Sequence, residues 1–299
     1  MFKKRMSNNL LKKAEYYSDR FENEKAINYL DKLLIIDGNN IEGWLLKGLC
    51  HAFLFQKEES FRCFDKALKI DSNNLNVHLK KGVACYHMEE YELAIDSFNQ
   101  IIEHIPDETF SLNKIGSCYL YLEKYDLALS YFNKVLEIDS EDSDALLNMG
   151  LYYNDLEMYD DALIYLDKCI EIQPNDGAAL LQMANIYKNK QDYHNALRYV
   201  NQALGQNPND LMLQLTKNLL LSNIGEFEES INGFKSISLE GIDNYGLISM
   251  YYIYYGQALQ TMGKNDDALG LYDEYLTEYD GFPKDGIIAE RDKVLGQMH

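Results

Sequence analysis

Six histidines and five cysteines are the side chains here best suited to chemistry, and their spacing decides what they can do. A zinc site gathers four ligands, commonly from cysteines and histidines roughly two to four residues apart. Cys50 and His51 are adjacent, and only Tyr86 separates Cys85 from His87, but no further ligand stands at the required interval. Adjacent residues on a helix also point about 100° apart, which suits coordination poorly. The five thiols, Cys50, Cys63, Cys85, Cys118 and Cys169, form an odd set without a CxxC pair. Their expected role is that of reduced, small, buried apolar groups. No glycine-rich phosphate loop, GxSxG elbow or HExxH pair is present. Acidic pairs such as Glu89-Glu90 and Asp160-Asp161 fall where a helix would begin, and there they complement its dipole. The expectation is a chain with no catalytic residues, no metal and no cofactor, and so not an enzyme.

Charge narrows the partners. Twenty-eight basic residues against 48 acidic ones leave a net charge of −20. Nucleic-acid binding draws its affinity from basic side chains that neutralise phosphates, so this surface would repel a polyanion. No run approaches the roughly 18 apolar residues of a membrane span. Lys3, Lys4 and Arg5 open the chain without an apolar signal core behind them. A cytoplasmic address, with neither nucleic acid nor membrane as partner, is expected.

The elements that position these side chains come from a period. Small residues recur every 34 positions at Ala26, Ser60, Ala94, Ala128, Ala162, Ala196 and Ser230, and Ala268 follows after 38. Twelve residues before each stand Ala14, Gly48, Gly82, Gly116, Gly150, Ala184, Asn218 and Gly256. Four residues after each stand Leu30, Phe64, Phe98, Phe132, Leu166, Val200, Phe234 and Tyr272. Within a unit the apolar spacing is helical, as in Leu146, Met149, Gly150, Tyr153 and then Ala162, Tyr165, Leu166, Cys169. Two helices approach closely only where one presents Gly or Ala and the other fills the space with a bulky side chain. One hairpin cannot bury its apolar face alone, so such units stack and coil.

This pattern resembles the tetratricopeptide repeat family. The second unit carries Trp44, Gly48, Ser60, Phe64, Ala67 and Asp71; the fifth carries Leu146, Gly150, Tyr153, Tyr159, Ala162, Leu166 and Pro174. The resemblance implies an all-α, right-handed superhelical solenoid spanning 1–299. Its repeats are expected at about 7–40, 41–74, 75–108, 109–142, 143–176, 177–210, 211–248 and 249–282. Gly281-Phe282-Pro283 is expected to break the chain, and 284–297 to form a capping helix. Asn218 departs from the small-residue rule, and four extra residues precede the eighth repeat, which predicts a bend or looser joint near 238–247. Lys13, Lys47, Lys81 and Lys217 replace the usual leucine at the seventh position, with stems expected to pack and amines to reach water.

The resemblance also implies that first helices line a concave, ligand-binding face. The candidate groove residues are Leu45, Leu49, Phe53, Leu79, Val83, Tyr86, His87, Phe110, Asn113, Ser117, Tyr121, Leu147 and Leu151. An exposed apolar face of this kind marks a binding site. The same rings would serve packing between adjacent repeats if the superhelix is tight. Some family members grip acidic C-terminal tails of chaperones through Lys and Asn, but Leu45, Leu49, Leu79, Val83 and Leu147 stand at the matching positions. The function expected is a scaffold that holds a peptide or helix of another protein, neutral or basic and with apolar anchors. The rival is a self-associating subunit, a homo-oligomer formed through the groove or last helix. The aromatic run Tyr251, Tyr252, Tyr254 and Tyr255 is expected to be mainly packing.

Overall fold

The computed structural model describes residues 2–242, 244–279 and 283–297, and among them there are helices and no strands. The helices are α1 Phe2–Ser18, α2 Asn23–Ile36, α3 Ile41–Phe53, α4 Lys57–Ile70, α5 Leu75–His87 and α6 Tyr91–Ile102. There follow α7 Thr109–Tyr121, α8 Tyr125–Ile138, α9 Ser143–Asp155, α10 Tyr159–Ile172, α11 Gly177–Asn189 and α12 Tyr193–Gln206. The last five are α13 Leu211–Asn223, α14 Phe227–Ser236, α15 Tyr245–Thr261, α16 Asn265–Glu278 and α17 Asp285–Gln297. The fold is an all-α helical-repeat solenoid, with odd-numbered helices opening the repeats and even-numbered ones closing them. Contacts group the chain into two units, Met1–Tyr152 and Tyr153–His299. Of the proposed break, residues 281 and 282 lie outside the described residues.

Each opening helix from α3 to α15 begins at a side-chain cap. Asn40 Oδ1 accepts from the Gly43 N–H (2.8 Å), Glu108 from Ser111 (2.7 Å), Asp142 from Ala145 (2.8 Å) and Asp176 from Ala179 (2.8 Å). Asn74, Asp210 and Asn244 do the same for Val77, Leu213 and Leu247. These caps recur every 34 residues, and each stabilises its helix by about 1 kcal/mol.

Each opening helix ends in a tight left-handed turn. In α3 the Gln56 N–H reaches the His51 carbonyl (2.9 Å) while Phe55 takes φ 55°. The same pair of features ends α1, α5 and α7 at Phe21, Glu89 and Glu123.

The close approach of paired helices explains the small residues. A Cβ on Gly48, Gly82 or Gly116 would lie 3.0, 2.7 or 2.5 Å from the ring of Phe64, Phe98 or Phe132, all fully buried. Where Ser replaces Ala, the buried hydroxyl donates to a carbonyl on the paired helix: Ser60 to Gly48 (2.9 Å) and Ser230 to Asn218 (2.7 Å). Two of the seventh-position lysines form ion pairs: Lys47 reaches back to Asp31 on the closing helix of the preceding repeat (2.6 Å), and Lys217 reaches across its own hairpin to Glu229 (3.4 Å).

Two features differ from the expectation for 211–248. Asn218 does not loosen its hairpin, because the small residue has moved to the facing helix. A Cβ on Gly233 would lie 2.1 Å from Asn218 Oδ1, so the amide occupies the space that Gly233 leaves. The four extra residues form an added first turn of α15, which is 17 residues long against 13 in α13. An added turn keeps the helix face in phase. Nor is the connection loose: Ile237, Leu239 and Ile242 pack on the core around Tyr252, Tyr272 and Ile287.

Candidate functional site

Three opening helices of the first unit, α3, α5 and α7, line a pocket of about 490 Å³. Leu49 and Phe53 come from α3, Val83, Tyr86 and His87 from α5, and Phe110, Lys114 and Tyr121 from α7, with Glu89 from the turn after α5 and Tyr91 from the start of α6. Seven expected groove residues therefore meet in one place: Leu49, Phe53, Val83, Tyr86, His87, Phe110 and Tyr121. Phe53, His87 and Phe110 are exposed, and Tyr121 keeps 60% of its surface in solvent.

The rings brace one another. Tyr91 and Tyr121 stack face to face, centroids 5.0 Å apart, and Tyr86 meets both edge-on at 5.8 and 5.9 Å. Phe53 lies 4.8 Å from the His87 ring. The Lys114 ammonium sits over the faces of Tyr86 (5.0 Å) and Phe110 (5.5 Å), a cation held by ring quadrupoles. Burial, then the neighbouring Tyr121 phenol, pushes the Tyr86 hydroxyl above its ordinary range. The pocket is thus aromatic-walled, preformed and weakly polar, the kind of surface that takes an apolar side chain.

Six of the expected residues are not part of it, and three of those must be corrected. Leu45 is buried in the core with Phe64, Val77 and Ala84, and cannot face a ligand. Asn113 is buried because its Nδ2 donates to Asp142 Oδ1 (3.0 Å), the same carboxylate that caps α9. Ser117 is buried one turn on, donating to the Asn113 carbonyl (3.0 Å). Leu79 is half-buried against the core around Phe98 and Ile115, and Leu147 and Leu151 are half-buried on α9 away from the pocket.

Lys114, Glu89 and Tyr91 were not among the expected residues. Lys114 stands at the sixth position of its repeat, and Tyr91 opens a closing helix, so neither belongs to the positions implied by the resemblance. Glu89 is one of a 34-residue series with Phe21, Phe55, Glu123, Glu157 and Gln191, all with φ between 55° and 61°. That series was visible as a spacing.

The histidines and cysteines are placed apart. His51 Nδ1 meets Gln56 Oε1 (2.6 Å), and the Cys50 thiol donates weakly to Ser18 Oγ (3.7 Å). All five cysteines are buried. Burial pushes the Cys63 and Cys85 thiols up to about 11 and Cys118 up to about 12, so the thiolate is scarce near neutrality. Among the described residues, no three His, Cys, Asp or Glu side chains gather to hold a metal ion. No described helix is long and apolar enough to cross a membrane. The run 251–255 is chiefly packing: Tyr252 and Tyr255 are buried, and Tyr255 stacks on Phe234 at 4.9 Å.

Models of the tetratricopeptide repeat match residues 41–74, 108–175 and 177–210. Among solved structures, the Cut9–Hcn1 hetero-tetramer of the APC/C aligns with a TM-score of 0.64 at 14% identity, covering 96% of this chain and 55% of that one. PilW, a type IV pilus biogenesis factor, gives 0.57 at 19% identity, covering 70% and 96%. A tetratricopeptide repeat protein from Parabacteroides merdae gives 0.54 at 18% identity, covering 97% and 99%. These are likenesses of fold. No curated protein matches the sequence.

Proposed function

Because this chain belongs to the tetratricopeptide repeat family, we propose that it is a cytoplasmic, non-catalytic scaffold that captures a peptide or helix of a partner protein on the aromatic surface of repeats two to four. The observation that carries this reading is the pocket of about 490 Å³ whose walls are Phe53, Tyr86, Phe110 and Tyr121. Aromatic side chains dominate interface hot spots, and truncating one costs at least about 2 kcal/mol of binding. With a net charge of −20, the partner is neutral or basic, drawn in by long-range attraction and held by apolar contact. In this reading 284–297 is the end piece of the array. Ile287 and Val294 are buried, whereas Glu290 lies between exposed and buried and Lys284 and Lys293 stay outside the core.

The test is capture of partners from the native organism by the intact chain and by the Phe53→Ala, Tyr86→Ala, Tyr121→Ala triple variant. The partner set should be lost by about 30-fold or more in the variant while circular dichroism stays unchanged. Equal capture by a folded variant would reject the site. A chain that captures only itself, with light scattering that rises with concentration, would put self-assembly in its place.

A further inference from the structure

Phe21 and Phe55 hold the left-handed position that ends α1 and α3, at φ 59° and 55°. Glycine takes this conformation without a steric penalty, and the seventh and eighth repeats use Gly225 and Gly263 at the corresponding turns, φ 90° and 73°. A bulky side chain there is a strained choice, and strain of this kind clusters at ligand-binding sites, held there by the surrounding structure. Burial does not retain these two: Phe21 is 77% exposed and Phe55 68% exposed. Their neighbours suggest what does. Phe21 lies edge-on to Phe53 (6.3 Å) and Phe55 lies 5.2 Å from His87, so both rings extend the wall of the pocket onto the turns.

The next two members of the series change chemistry. Glu89, which lines the pocket, and Glu123 hold the same left-handed position after α5 and α7, and both are exposed. Among the described residues neither carboxylate takes part in an ion pair or a side-chain hydrogen bond. Lys114, by contrast, is already held over two rings, which leaves the pocket floor to apolar groups. Along one edge the order is therefore Phe, Phe, Glu, Glu, each at a turn of a successive repeat.

We propose that the docking surface continues from the pocket onto these turns, and that its occupant is a partner segment whose apolar side chains are followed, toward the higher-numbered repeats, by Lys or Arg. This rests on the scaffold reading and supplies the chemistry of the partner. The rings at 21 and 55 meet the apolar part, and the free carboxylates at 89 and 123 meet the cations.

Two measurements on the full chain test it. Phe21→Gly and Phe55→Gly should each raise the thermal midpoint by roughly 1–3 °C, because strain is relieved and little packing is lost. A fall in the midpoint would mean that folding retains the rings, and would overturn the proposal. Fluorescence anisotropy then compares two synthetic peptides, each with Phe and Leu anchors and a short spacer, one ending in three lysines and the other in three glutamates. The lysine peptide should bind at least about 10-fold tighter, and Phe55→Gly or the Glu89→Lys, Glu123→Lys pair should each remove about that factor. Equal or preferred binding of the glutamate peptide, or no binding of either, overturns it. Binding that is lost in the Phe53, Tyr86, Tyr121 triple variant but indifferent to Phe55→Gly would keep the groove and reject the edge. Binding indifferent to the triple variant would instead reject the scaffold site itself.

Discussion

The stretches 41–121 and 245–279 are built on the same repeat and are both rich in rings, yet they place those rings oppositely. In the first, phenylalanine fills the gap between paired helices: Phe64 and Phe98 press on Gly48 and Gly82, and Tyr121 is left at the surface beside the half-buried Tyr86 and Tyr91 of the pocket. In the second, Tyr272 takes that inner place against Gly256, and Tyr252 and Tyr275 join it in the core. A buried phenol must find a partner for its hydroxyl. Gln260 Nε2 donates to Tyr272 Oη (3.0 Å), the Tyr252 hydroxyl donates to Glu274 (3.0 Å), and the Tyr275 hydroxyl donates to the Pro283 carbonyl (3.0 Å). Tyr121 in the first stretch remains largely in solvent. The residue type does not decide whether a ring serves the fold or a partner; the size of the facing side chain and the supply of polar partners do.

Truncation separates the two uses most widely. Tyr272→Ala should cost about 3–5 kcal/mol, from the cavity and from a stranded Gln260 amide. Tyr121→Ala should cost less than about 1 kcal/mol of stability, because its ring is mostly exposed. Urea denaturation measures both, and equal losses would erase the distinction.

The exchange of small residues between Asn218 and Gly233 is the next largest effect. Gly233→Ala should cost about 1–3 kcal/mol, since the new methyl meets the buried Asn218 amide. In an Asn218→Gly background the same change should be nearly free, a coupling of about 1–2 kcal/mol by double-mutant cycle. Simple additivity would show that the two side chains do not share one space.

Alkali should reach the two stretches in sequence. Protonation favours the fold at a buried thiol or phenol whose pKa is raised. That stability is complete below the group's ordinary value and is lost as pH climbs through the raised one. For Cys63, Cys85 and Cys118 the window opens at pH 9 and runs to about 11 or 12; for Tyr251 it opens at pH 10 and runs to about 12. The sole tryptophan, Trp44, reports on the first unit. Its fluorescence should shift before the late phenolate absorbance rises, and the reverse order would contradict this assignment.

How far these contrasts could be read beforehand depends on the range of the contacts behind them. The 34-residue spacing of Gly48, Gly82 and Gly116 marks the hairpins because each glycine meets a ring 16 residues away in its own unit, as Gly48 meets Phe64. The cap series Asn40, Asn74, Glu108, Asp142, Asp176, Asp210 and Asn244 is equally periodic. The groove was harder. Asn113 is closed off by Asp142, which caps the first helix of the next repeat, and Leu45 by Val77 and Ala84. Whether a first-helix residue faces solvent depends on the neighbouring repeat, which the motif of a single repeat does not encode. Asn218 shows the same limit: its compensation sits on the facing helix at Gly233.

The smallest effect compares the two buried serines. Ser60 and Ser230 occupy a phase held by alanine in the six other repeats, and each hydroxyl donates to a carbonyl on the paired helix, at 2.9 and 2.7 Å. Each carbonyl belongs to a helix and keeps a backbone partner when the hydroxyl is removed, so Ser→Ala strands no donor. The expected cost is only the net value of one hydrogen bond, about 0.5–1 kcal/mol at either site. Ser60 faces a glycine and Ser230 an asparagine, so the comparison isolates the bond from its setting. Matching urea midpoints would assign the value to the bond; a larger loss at Ser230 would show that the hydroxyl also fixes the Asn218 turn against which Gly233 packs.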